Sequence, residues 1–119
     1  MANRNRDAGN GYERTVVQEL KKLNYTDVTT ARAESRNMDN KGVDVFGDSL
    51  PFYVQCKVSK DRPNYHKLIL DTKGMDSRKP LFVFHKLVEK ATTRFVTKGE
   101  YVILEKEEFY KLINLLNNK

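Results

Sequence analysis

The 119-residue chain reads as an α/β protein with a short central mixed β-sheet flanked by helices. Three stretches carry that expectation. Phe52, Val54, Cys56 and Val58 alternate with Tyr53, Gln55, Lys57 and Ser59, the period-two pattern of a strand with one apolar face. Tyr12, Val16, Val17, Leu20 and Leu23 recur at helical spacing. Leu81-Phe82-Val83-Phe84-His85 is a continuous apolar run, as in a strand covered on both faces.

The order of elements follows from these anchors. Residues 1–9 are expected as a flexible basic arm, in which Arg4 and Arg6 can reach a phosphate backbone. Residues 10–119 then form a single domain. A helix is expected from about Asn10 to Leu23, closed by Asn24-Tyr25. At about 100° per residue, Glu13 projects inside its apolar stripe, whereas Arg14, Gln18 and Lys21 project away. A glutamate on the covered side of a helix either reaches solvent at the stripe's edge or faces the sheet as a ligand or acid/base.

Thr26 to Arg32, rich in Thr and Val, reads as a first strand. The polar loop that follows, through Gly42, carries Arg36 and Lys41, with Arg32 at its entrance. A loop of that length is usually functional or mobile. Gly42 to Lys60 reads as two strands joined by a short turn. Asp44 lies in the first, and Gln55 and Lys57 lie side by side on the second. Polar groups placed there are costly without partners, so this hairpin is the expected seat of chemistry.

Further on, Tyr65 to about Lys73 is expected as a helix. Thr92 to Thr97 and Tyr101 to Leu104 read as two strands turned at Lys98-Gly99, and a terminal helix starts near Lys106.

Composition narrows the partners. Charged residues make up 32% of the chain, apolar residues 39%, and the net charge is +6. A small basic domain points to an anionic partner, nucleic acid before membrane. No apolar run approaches a membrane span, and Met1 to Asp7 lacks the apolar centre of a signal peptide. One cysteine excludes an internal disulfide and fits a reducing interior. A cytoplasmic setting is expected, nucleoid-associated or viral origin both being open. Cys56 points with Val54 and Phe52 and reads as core rather than nucleophile. His66 and His85 have no zinc-ligand neighbours in sequence.

Asp44 and Gln55/Lys57 can share a face of adjacent strands, and Glu13 comes from a helix covering the sheet. Hard divalent cations take carboxylate, carbonyl and phosphate oxygens. Asp44, Glu13 and the backbone carbonyl of Cys56 can supply them. Lys57 can then stabilise charge developing on a phosphoryl group or orient a water, which suits phosphodiester hydrolysis. Taken singly, Asp44 as a turn acceptor and Lys57 as an ion-pair partner of Asp44 or Glu13 are the plainer readings.

The ordered set of motifs resembles the PD-(D/E)xK nuclease superfamily, and within it the archaeal-type Holliday junction resolvases. Gly9-Asn10-Gly11-Tyr12-Glu13-Arg14 resembles their Gly-x-x-x-Glu-Arg helix start. Ala31-Arg32 with Ser35 resembles the loop before the metal aspartate. Val54-Gln55-Cys56-Lys57-Val58-Ser59-Lys60 resembles the catalytic strand. Pro80 to Lys86 and Thr93-Arg94-Phe95 resemble later strands.

The resemblance implies a restriction-endonuclease-like fold and a Mg²⁺- or Mn²⁺-dependent endonuclease acting on DNA in recombination and repair. It also implies a homodimer that cuts a four-way junction symmetrically. Glu13, Asp44, Gln55 and Lys57 become the catalytic set, with Asp44, Glu13, Gln55 and the Cys56 carbonyl on the metal. Arg32, Ser35, Arg36 and Lys60, with Arg4, Arg6 and Lys41, become DNA contacts.

One position departs. Gln55 stands where the family carries Glu or Asp; Mrr-type restriction nucleases resemble this variant, with Gln-x-Lys. A restriction- or repair-type nuclease on duplex or branched DNA, and a catalytically inactive DNA-binding module, are the alternatives. The short chain leaves little to read bases, which favours structure-directed cutting.

Overall fold

The structure is a computed structural model that describes residues 4–35, 37–38, 42–73 and 79–118, with side chains from residue 11 onward. Its elements in chain order are α1 (Arg4–Lys22), β1 (Thr29–Thr30), α2 (Ala31–Glu34), β2 (Val45–Phe46), β3 (Tyr53–Ser59), α3 (Tyr65–Lys73), β4 (Leu81–Ala91), β5 (Arg94–Ile103) and α4 (Lys106–Asn117). The five strands form one sheet in the order β1-β2-β3-β4-β5. Only β3 and β4 run parallel; every other neighbouring pair is antiparallel. The parallel pair needs a crossover, and α3 supplies it.

Helix α1 buries Tyr12, Val16, Val17 and Leu20 against Val28, Val45, Leu50, Val54 and Cys56. Of these, Tyr12, Val16, Val17 and Leu20 belong to the 3.6-residue stripe and Val54 and Cys56 to the β3 alternation. The helix starts at Arg4, so residues 4–9, expected as an arm, form its first turns. Its end is a Schellman motif: Tyr25 N–H donates to Leu20 O, Asn24 N–H donates to Lys21 O, and Asn24 takes φ +78°. The helix stops before Leu23, which is left exposed.

The opposite face of the sheet buries Val43, Leu81 and Val83 against Ile69 of α3. Leu81, Phe82 and Val83 are all buried, as the continuous apolar run requires.

Two further expectations are corrected. The first strand is only Thr29–Thr30, because Ala31 N–H donates to the Asp44 carbonyl (2.8 Å) and the chain turns at once into α2. β5 is one strand, not two. It pairs with β4 along its length, the turn falls at Thr92-Thr93, and Gly99 lies opposite Leu87 beside a β-bulge. The terminal helix forms where expected but contributes no buried residue. No described helix is long and apolar enough to cross a membrane.

Candidate active site

Asp44 stands just before β2, where β2 and β3 part. Its N–H donates to Val54 O (2.7 Å), and its carbonyl accepts from Ala31 N–H (2.8 Å). Its carboxylate Oδ2 accepts from Cys56 N–H (2.8 Å). A side chain thus takes over where the backbone ladder stops. The N–H and C=O of one strand residue project to the same side, so the Cys56 carbonyl also faces this gap. The aspartate is fixed in the split, beside the carbonyl expected as a ligand.

Gln55 follows Val54 on β3 and is 8% exposed. Its side chain makes no hydrogen bond among the described residues. A buried amide without partners is costly. No side-chain nitrogen or oxygen among the described residues is both sealed from solvent and unpartnered, so the amide keeps an opening to solvent. Its Oε1 is packed against Gly42, where a Cβ would come within 3.1 Å of that oxygen. Gly42 also has φ +82°, a backbone conformation that favours glycine, and a side chain there would press on the amide oxygen.

Lys57, next on the same face, is half-buried. Among the described residues its ammonium forms no hydrogen bond or ion pair. It opens onto a groove of about 350 Å³ shared with Ser59, Arg62, Asn64 and Lys67. Neither Asp44 nor Glu13 takes it as an ion-pair partner.

Glu13 is 8% exposed and enters from α1. Its Oε2 accepts from Arg32 Nε (3.3 Å) and Nη2 (3.1 Å). Its Oε1 makes no hydrogen bond among the described residues. The one-turn α2 aims Arg32 at this carboxylate, so Arg32, expected at a phosphate, is held by Glu13 instead. Glu13 lies on the Cys56 side of the sheet, whereas Gln55 and Lys57 leave β3 on the other side. The two halves meet at Asp44. The Cys56 thiol registers this arrangement: burial pushes its pKa up, and the charges of Asp44 and then Glu13 push it further. Cys56 is a core residue, not a nucleophile.

The other expected contacts are spread out. Ser35 Oγ accepts from Met38 N–H (3.3 Å) within its own loop. Lys60 is exposed just past β3. Arg4 and Arg6 are in the first turns of α1, and their side chains lie outside the description, as do Arg36 and Lys41 altogether.

His85 is buried beside Lys57 in the β3–β4 register, with Nε2 3.0 Å from Ser59 Oγ. It secures the end of β3. Its place at the end of an apolar run was the available signal for its burial.

Among the described residues no three His, Cys, Asp or Glu side chains gather closely enough to hold a metal ion. The oxygen donors at the split are instead Asp44, Gln55 Oε1, the Cys56 carbonyl and, across the sheet, Glu13 Oε1. Hard cations can be held by few protein oxygens, with water and phosphate completing the coordination. Comparison with protein families, with characterised proteins and with solved structures finds no match.

Proposed function

We propose that the chain is a divalent-metal-dependent DNA endonuclease with a restriction-endonuclease-like fold, selective for branched DNA such as four-way junctions and working as a homodimer. One observation carries this reading. Gln55 and Lys57, adjacent on one strand face beside the pinned Asp44, have no hydrogen-bond or ion-pair partner among the described residues although both are at least half-buried. Packing alone does not favour that arrangement; a bound ion, water or phosphate would complete it.

A Mg²⁺ or Mn²⁺ ion, when bound, would polarise a phosphoryl oxygen and acidify a water. Asp44, fixed by Cys56 N–H, would position it. Gln55 Oε1 would accept a bond from a bound water or ligate directly, adding no charge. Lys57 would place its ammonium against the phosphate as negative charge grows there. The net charge of +6 would draw in the polyanion.

The test uses a labelled four-way junction, a matched duplex and a single strand, with and without Mg²⁺ or Mn²⁺. Paired symmetrical nicks in the junction are expected only with metal. Lys57→Ala and Asp44→Ala should each lower the cutting rate by at least about 100-fold while binding persists. Full rates in both variants would show that the site lies elsewhere. Duplex cutting equal to junction cutting would support the restriction- or repair-type reading.

The inactive DNA-binding module is the second reading. It is favoured by the Glu13–Arg32 pair (3.1 Å) and the lack of a three-acid set among the described residues. Tight binding with no cutting in either metal would establish it.

A further inference from the structure

A second groove, of about 720 Å³, runs between α1, the end of β3 and the β4–β5 hairpin. It lies within the roughly 300–1,000 Å³ range of sites that hold small ligands. On one side stands Phe95, 53% exposed on the solvent side of the hairpin. Lys60 and Lys86 line the same groove and supply charge. Neither ammonium forms a hydrogen bond or ion pair among the described residues. Lys86 Nζ is held 5.8 Å from the centre of the Tyr12 ring, a cation–π distance. Asp61 is the carboxylate lining the same groove.

The groove joins the one in front of Lys57, because Ser59 and Asp61 line both. From Lys57 to Lys60 the extended chain covers about 10 Å. Lys57 stands on the α3 side of the sheet and this groove on the α1 side, so a strand with a phosphate at Lys57 enters the groove by turning round the end of β3 past Ser59 and Asp61. Two lysines outside any ion pair among the described residues, one of them over the Tyr12 ring, and an exposed aromatic ring together form the platform used for unpaired nucleic acid, where the backbone follows the charge and a base lies on the ring. A base within a duplex has its faces covered by its neighbours and cannot use the ring.

We propose that this groove binds an unpaired stretch of a DNA strand, with a base stacked on Phe95 and the backbone held by Lys60 and Lys86. The inference rests on the nuclease reading for its ligand class, and it makes the substrate DNA with unpaired nucleotides next to the cut.

The chain has no tryptophan, so Phe95→Trp places a single reporter on the platform. Emission is measured with the full chain in EDTA, so that no cutting intervenes. The probes are oligo(dT), an abasic strand of equal length, and a blunt duplex. Oligo(dT) should quench the tryptophan and bind about 5- to 150-fold more tightly than the abasic strand, the range for one stacked base. Phe95→Ala should remove that advantage and leave abasic-strand affinity as it was.

The unaltered chain gives an independent readout, since 2-aminopurine in the strand should lose fluorescence on stacking against Phe95. Equal affinity for oligo(dT) and abasic strands, or no quenching of either reporter, would overturn the proposal. Quenching without metal-dependent cutting would leave the groove standing and remove the nuclease reading. Lys57-dependent cutting without quenching would do the reverse.

Discussion

Gln55 carries the sharpest chemical question in the molecule. Its amide is nearly enclosed, has no hydrogen-bond partner among the described residues, and sits where Gly42 leaves just enough room for its oxygen. A neutral oxygen suits such a place better than a bare carboxylate, which would need a cation to offset its burial. Gln55→Glu therefore separates metal binding from packing. In EDTA the variant should be less stable than the native chain by about 1–3 kcal/mol, from a buried polar group without its partner. Mg²⁺ or Mn²⁺ should restore its melting temperature and shift it more than the native chain's. Metal-dependent cutting should persist or improve. A melting temperature insensitive to both ions would mean that no metal sits near residue 55.

Asp44, Gln55 and Lys57 were legible from period two and from the oddity of polar groups on apolar strands. The partner of Glu13 was not. Arg32 reaches it only because the chain turns into α2 straight after Thr30, and nothing in a Thr- and Val-rich segment announces a four-residue helix.

At the scale of elements, the site depends on how firmly β2 is held, since Asp44 is its lead-in. β2 is two residues long and has little ladder of its own. Asp27, ahead of β1, grips the β2–β3 turn: its carboxylate accepts from Ser49 N–H (2.9 Å) and from the Ser49 hydroxyl. Gly47 in that turn packs closely on Val28 Cα, 3.1 Å from where a Cβ would stand.

The hydrogen bonds from the Ser49 hydroxyl and then its N–H pull the Asp27 carboxyl below its ordinary value. A depressed folded-state pKa adds stability that is present above the unfolded value, about 3.9. That stability is lost as pH falls through the lower, folded value. Asp27→Asn should therefore flatten the acid limb: between pH 6 and pH 3 the native chain should lose more of its melting temperature than the variant. Parallel curves would show that the grip adds nothing.

The same scale shows why the end of the sheet was misread. Lys98-Gly99 looks like a hairpin turn, but Gly99 serves the bulge opposite Leu87. The real turn uses Thr92 at φ +55°, a conformation that β-branched residues rarely adopt and that no turn residue marks in the sequence.

The whole molecule presents an imbalance that its helices and strands do not show singly. α1 and α3 cover the two faces of the sheet, while α4 buries nothing. Phe109, Ile113 and Leu116 recur along one side of α4 at helical spacing and are all exposed, as are Tyr101 and Val102 on the sheet's edge strand β5. The helical spacing of Phe109, Ile113 and Leu116 marks the apolar stripe of α4 in the sequence. It could not say whether the stripe faces the chain's own core, because stripes that meet the core and stripes that meet a partner have the same spacing.

A second copy is the occupant that the nuclease reading calls for. A stripe paired with itself about a two-fold axis closes into a dimer, and two sites so related match a junction with two equivalent strands. The chain of 13.9 kDa should accordingly sediment at twice its mass. Phe109→Asp combined with Leu116→Asp should return it to a monomer without changing its circular dichroism. With the junction substrate, the monomeric variant should still nick but lose simultaneous cutting of both strands. A native chain that sediments as a monomer at tens of micromolar, and still cuts in symmetrical pairs, would show that the two cuts need no dimer and that α4 faces some other partner.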